Sequence, residues 1–187
     1  ALTFDTAGNL YVAGMFTMAG GVPANRIAKW NGSTWSALGS GLTGGTYPTA
    51  NALAADSSGN IYVGGGFLQA GGNPANRIAK WDGSTWQPLG TGMDDDVYAP
   101  AVASDGSLYA AGSFSNAGGV SAKGIARWNG TAWSALGSGL TFSSGQGGWC
   151  ITFDSKHNVY VGGLFSAAGS TPASNIAAWN GTSWFAL

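Results

Sequence analysis

The sequence predicts an all-β repeat fold, and three observations carry that prediction. An eleven-residue stretch, Asn76-Arg77-Ile78-Ala79-Lys80-Trp81-Asp82-Gly83-Ser84-Thr85-Trp86, recurs nearly unchanged at 25–35 and in worn form at 123–133 and 174–184. Its first tryptophan falls at 30, 81, 128 and 179, giving spacings of 51, 47 and 51 residues. Tyr11, Tyr62, Tyr109 and Tyr160 keep the same step, as do Phe16, Phe67, Phe114 and Phe165. A period of this size over almost the whole chain marks a repeated supersecondary unit. No segment has helical periodicity of useful length, and each copy reads as four short strands.

The first strand of each copy is small-residue-rich and is expected at 1–4, 52–55, 101–104 and 150–153. An aspartate closes it (Asp5, Asp56, Asp105, Asp154) and opens a tight turn, since Asp bonds its own backbone and a following Gly supplies positive φ. In the third copy the turn is expected to shrink to the two residues Asp105-Gly106. The second strand follows at once, as in 60–67, with β-branched and aromatic letters suited to a pleated surface. The glycines inside it (Gly14, Gly65, Gly112, Gly163) imply that a backbone or a large ring packs close by.

A loop of the Ala-Gly-Gly-x-Pro-Ala type leads to the third strand, expected at 77–81 in the second copy. Asn31-Gly32, Asp82-Gly83, Asn129-Gly130 and Asn180-Gly181 then turn the chain into the fourth strand. Looser linkers at 41–49, 91–99 and 139–148 join one copy to the next.

Composition narrows the function classes. The net charge is −1, only 8% of residues are charged, and all eight acidic residues are Asp. Such a chain carries no basic footprint for nucleic acid or for an anionic membrane surface. With 12% aromatic residues and nine Trp it is a folded chain rather than a disordered one. No apolar run approaches the length needed to span a bilayer, so no membrane insertion is expected. One Cys allows no internal disulfide. The Gly/Ser/Thr/Asn/Trp-rich make-up leans towards an extracellular or cell-surface location.

Four-stranded units of this period are the pattern of β-propeller blades. The expected architecture is one β-propeller domain over 1–187, made of four four-stranded antiparallel blades at about 1–47, 48–97, 98–146 and 147–187. A lone four-stranded sheet cannot cover both its faces, so neighbouring copies must pack on it. Trp30, Trp35, Trp81, Trp86, Trp128, Trp133, Trp179 and Trp184 are the expected blade anchors. Three outcomes stay open: a closed four-bladed ring, half of a larger ring, or a piece of a longer chain.

The run Asp-x-x-Gly-Asn-x-Tyr-Val-x-Gly at 5–14 and 56–65 resembles bacterial extracellular propeller repeats. The Gly-Gly-x-Pro-Ala-Asn-Arg-Ile-Ala-Lys-Trp-Asn/Asp-Gly-Ser-Thr-Trp run resembles blades of large cell-surface propellers, including fungal bud-site selection proteins, and the delta-sixty repeats of bacterial surface proteins. These resemblances imply a propeller and a surface location, and they bring no catalytic motif to transfer.

Candidate chemistry is sparse. Cys150 is expected as a packed inner-strand thiol, and His157, the only histidine, lies in a turn, poorly placed to activate it. Asp94, Asp95 and Asp96 form the only acidic cluster, read as a solvated turn, with a hard cation as the weaker alternative. The four turn aspartates recur once per copy and read as turn caps. Asn31, Asn129 and Asn180 match glycosylation sequons that turn chemistry already explains. Arg26 and Arg77, with Lys29, Lys80 and Arg127, form a weak basic row on the third strands, expected to stack on tryptophan rings, with an anion site as the alternative and Arg26 and Arg77 as its possible ligand-binding residues. Trp149 lies outside the repeated tryptophans in a Gly-rich linker, as a closure contact between the last and first blades or a platform for a sugar ring.

The expected function is a non-enzymatic extracellular or cell-surface module with a structural or protein-binding role and no cofactor. A carbohydrate-binding propeller is the alternative, and a unit that self-associates into a larger ring or filament is a further one.

Overall fold

A computed structural model describes all residues 1–187. The chain is all β, with no helix, and therefore no helix long and apolar enough to cross a membrane. It divides into two compact units, residues 1–92 and 93–187.

Each unit holds two four-stranded antiparallel sheets, and every sheet follows chain order from first strand to fourth. In residues 1–92 the sheets are Leu2–Phe4, Leu10–Ala13, Ile27–Trp30 and Trp35–Ala37, then Ala50–Ala55, Ile61–Gly65, Ile78–Trp81 and Trp86–Pro88. In residues 93–187 they are Val97–Val102, Leu108–Gly112, Ile125–Trp128 and Trp133–Ala135, then Gly147–Phe153, Val159–Leu164, Ile176–Trp179 and Trp184–Ala186. The second strand Ile61–Gly65 is buried along its whole length, because both faces of that sheet are covered. Ile27, Ile61, Val63, Phe67 and Ile78 form the fully buried centre of the first unit, and Phe114, Ile125 and Val161 that of the second.

The repeated glycine has a steric reason. A Cβ at Gly65 would run into the carbonyl of Thr49, and at Gly112 into that of Asp96, so the first strand's backbone approaches as closely as the chain permits. This follows from first strands that begin earlier than expected. They start at Ala50, Val97 and Gly147, the last two inside the segments read as linkers.

Each of these three strands carries a bulge, between Ala50 and Ala52, Val97 and Ala99, and Gly148 and Cys150. Trp149 is therefore a bulge residue of the first strand, in the place held by Asn51 and Tyr98, and not part of a linker. A bulge re-aims the side chain of the extra residue, and the Trp149 ring is 52% exposed.

The Ala-Gly-Gly-x-Pro-Ala segments, read as loops, are miniature hairpins: Met18–Ala19 with Val22–Pro23, Gln69–Ala70 with Asn73–Pro74, Asn116–Ala117 with Val120–Ser121, and Ala167–Ala168 with Thr171–Pro172. In both units the preceding linker pairs with such a hairpin. Leu42–Thr43 pairs with Gln69–Ala70, and Leu140–Thr141 with Ala167–Ala168. Backbone hydrogen bonds thus clasp one copy to the next, which periodicity alone does not reveal.

Two further expectations are corrected. The turn of the third copy keeps its length: the Ala103 N–H donates to the Ser107 carbonyl, as the Asp56 N–H does to Asn60. Ala103, not Asp105, holds the repeated Asp position, and the first strand of that copy is Val97–Val102 instead of 101–104. Arg26 and Arg77 lie just before the third strands rather than on them, at φ of 65° and 64°, where the third copy has Gly124 at 70°.

Candidate functional site

The repeated tryptophans sit at the ends of the third-to-fourth-strand hairpins and pair across them. The centroids of Trp30–Trp35, Trp81–Trp86, Trp128–Trp133 and Trp179–Trp184 are 5.4, 5.3, 5.3 and 5.4 Å apart. The four-residue loop between each pair is held by its first side chain. Asp82 Oδ1 accepts from the N–H groups of Ser84 and Thr85 at 2.9 and 2.8 Å, and Asn31, Asn129 and Asn180 do the same. Those N–H groups hold the Asp82 carboxyl well below the usual carboxylate range.

The indole N–H of Trp86 donates to the Leu38 carbonyl of the preceding copy, and that of Trp184 to Leu136, both at 2.8 Å and buried. Against each tryptophan lies a glycine of the miniature hairpin, Gly71 or Gly169, with φ of 62° and 60°. A shallow pocket opens beside the pair in both units. One, of about 200 Å³, is lined by Gly39, Gly71, Asn73, Trp81, Ser84, Thr85 and Trp86. The other, of about 260 Å³, has Gly137, Gly169, Thr171, Trp179, Thr182, Ser183 and Trp184 at the matching positions.

The turn aspartates bind their own turns. Asp56 accepts from the backbone N–H groups of Ser58 and Asn60, the Asn60 side chain and the Tyr62 hydroxyl, the last at 3.2 Å. Asp154 repeats this with Tyr160 at 3.1 Å. Burial, reinforced by Asp5 and Asp56, pushes the Tyr11 and Tyr62 phenols up to about 12.

The third copy departs from this scheme. Without an Asp at position 103, Tyr109 has no carboxylate of that kind to donate to. Asp105 instead accepts from Ser107 and forms an ion pair with Arg127 at 3.0 Å. The Ser107 N–H and, less strongly, Arg127 outweigh burial and hold the Asp105 carboxyl low. A cavity of about 290 Å³, lined by Ala103, Ser104, Asp105, Tyr109, Phe153 and His157, lies beneath this turn.

The remaining residues singled out from sequence are placed as follows. Asp94 accepts from the backbone N–H groups of Ser115 and Asn116 and from the Asn116 side chain, and its carboxyl is lowered despite burial. Asp95 accepts from the Asp96 N–H, and no group of three His, Cys, Asp or Glu side chains is placed to hold a metal ion. Arg26 donates to the carbonyls of Pro48 and Leu42 at 2.6 and 3.3 Å rather than stacking on an indole. Arg77 occupies the same position in the next copy. Lys29 lies over the Tyr11 ring at 5.7 Å. Cys150 is exposed, contrary to the packed thiol expected.

A β-propeller domain of unknown function, DUF5122, matches residues 57–80 and 103–130. Comparison with curated proteins gives no match. Among solved structures, the extracellular domain of a one-component system from B. thetaiotaomicron is similar over 96% of this chain and 21% of that one, at 10% identity and a TM-score of 0.57. The β-propeller domain of the Trilobed protease from Pyrococcus furiosus, with an open velcro topology, is similar over 99% of this chain and 53% of that one, at 13% identity and a TM-score of 0.56. The chain thus spans about a fifth to a half of the length of these structures.

With the antiparallel four-stranded sheets, these likenesses define a β-propeller repeat fold. The expectation that the chain is not an enzyme is corrected, because a fold of this kind does not by itself decide between catalysis and binding. A gluconolactonase from Xanthomonas campestris is similar at 17% identity over 90% of this chain and 53% of that one, with a TM-score of 0.46. An ulvan lyase is similar at 12% identity over 98% and 56%, with a TM-score of 0.44. The fold gives no ground for withholding catalysis, and that expectation is dropped.

Proposed function

We propose that the chain is a propeller module of an extracellular or cell-surface protein that works by contact with another polypeptide, a second copy included. The carrying observation is the apolar surface of the first repeat. Leu2, Phe4, Met15 and Met18 are exposed to 68, 63, 81 and 58%. Their counterparts Leu53 and Ala55 in the second repeat pack against the core. Large apolar side chains left exposed on one repeat, where the next repeat buries the counterparts of two of them, point to an interaction surface. A photo-crosslinking residue at position 4, with the chain displayed on its host cell, is expected to yield adducts with a polypeptide. If neither another protein nor a second copy is captured, the reading fails.

A second reading, carbohydrate binding, is favoured by the recurrence of one pocket at matching positions in both units and by the exposed Trp149 ring. An aromatic face beside hydroxyls is suited to a sugar ring. A glycan array is expected to show binding that weakens in Trp149→Ala and in Thr85→Val. A blank array removes this reading and leaves the first untouched.

A further inference from the structure

The cavity of about 290 Å³ in residues 93–187 is walled in part by three residues that break the repeat, Ala103, Asp105 and His157. Ala103 stands where the other copies have Asp5, Asp56 and Asp154. That replacement removes the carboxylate that accepts the tyrosine hydroxyl in the second and fourth copies. Asp105 stands where the others have Ala7, Ser58 and Lys156, and His157 where they have Gly8, Gly59 and Gly106. His157 is held at a φ of 66°, a region costly for a residue with a Cβ. Phe153 stands where the other copies have Phe4, Ala55 and Val102, and its ring meets that of Tyr109 edge to face at 5.3 Å.

These departures assemble complementary chemistry. Phe153 and Tyr109 form an aromatic corner. The Tyr109 hydroxyl is a donor released from the turn. Asp105 Oδ1 accepts one N–H, from Ser107, and keeps lone-pair capacity for another donor. Ser104 and His157 complete the lining beside the apolar wall. Arg127 neutralises Asp105, so the site favours an uncharged ligand over a cation. A volume at the small end of ligand pockets fits a single ring.

We propose that this cavity binds one neutral polyhydroxylated ring, a hexopyranose unit, either as a free sugar or as the end of a glycan. The C–H face of the ring lies on Phe153. Vicinal hydroxyls bond Asp105, Tyr109 and His157. The proposal is independent of the tryptophan-pair pockets.

The chain's single histidine makes the test specific, because one imidazole signal reports the site in a proton NMR titration. The probes are a panel of free hexoses, their methyl glycosides, and phenol. The expected result is a saturable shift of the His157 signal by at least one hexose, with a dissociation constant in about the millimolar range. Methyl glycosides that bind equally assign the site to glycan ends, whereas binding of the reducing sugar alone assigns it to free sugar. Ala103→Asp restores the repeat residue, recaptures the Tyr109 hydroxyl and fills the cavity. It is expected to fold at least as stably as the parent while weakening hexose binding roughly tenfold or more. An unchanged titration in Ala103→Asp, a shift by phenol alone, or no shift by any hexose would overturn the proposal.

Discussion

Replacement of Trp86 tests whether the paired tryptophans hold neighbouring copies together. The side chain is 92% buried, being 8% exposed, and a tryptophan buries roughly 200 Å². At about 25 cal/mol/Å² that is about 5 kcal/mol of apolar burial. Truncation also removes the indole N–H bond to the Leu38 carbonyl across the copy boundary, leaving that carbonyl only the Gly41 N–H, which adds about 1 kcal/mol. Partial collapse of the site offsets some of this, so Trp86→Ala is expected to cost about 4 kcal/mol, within the range for large aromatic truncations. Single domains have total stabilities of about 5–15 kcal/mol, so the variant should fold only marginally. Trp86→Phe keeps most of the ring area and loses the N–H, and should cost about 1–2 kcal/mol. Urea unfolding followed by far-ultraviolet circular dichroism measures both without relying on the fluorescence of the residue removed. Trp149→Ala, at a ring already half exposed, is the control and should stay within about 1 kcal/mol of the parent. A loss below about 1.5 kcal/mol for Trp86→Ala would refute the account, because an anchor buried to this extent cannot be removed so cheaply.

Other expectations follow from the same geometry. Gly71→Ala puts a Cβ 2.7 Å from Trp86 Cδ1 at a φ of 62°, and thermal unfolding should show a loss of about 1–3 kcal/mol. Asp56→Ala removes four hydrogen bonds from its turn and should destabilise by about 1–2 kcal/mol, read by urea midpoint. The raised phenols of Tyr11 and Tyr62 stabilise the fold fully below pH about 10. That contribution should fade as pH rises towards about 12, read as a falling melting temperature with tyrosinate absorbance appearing on unfolding. The lowered carboxyls of Asp5, Asp82, Asp105 and Asp154 act in the opposite sense. Their contribution is present above the ordinary Asp range and is lost as pH falls through and below it, so an acid titration of melting temperature should slope downward there.

Repeats made the strands and their order legible, since tryptophan, tyrosine and phenylalanine spacing survives sequence wear. The third-copy turn misled for a local reason. An Asp-Gly pair at 105–106 looks like a two-residue hairpin, yet the backbone bonds of Ala103 keep the longer turn of the other copies. Trp149 was misplaced because a bulge leaves no mark in composition and is visible only as a shift of strand register. The cavity beside His157 was not legible, since its walls come from two copies more than forty residues apart in sequence.

The sequence by itself determined that the chain is β throughout, that four similar units build it, and that an Asn or Asp closes each tryptophan hairpin. Those features depend on turn chemistry and on side-chain alternation within about ten residues, where local rules govern. Only the tertiary structure decided how one copy clasps the next through Leu42–Thr43 and Gln69–Ala70, and which carbonyl receives the Trp86 indole. It also decided where the broken repeat opens a cavity. These depend on backbones distant in sequence meeting at hydrogen-bond distance, and no local pattern of residues encodes that meeting.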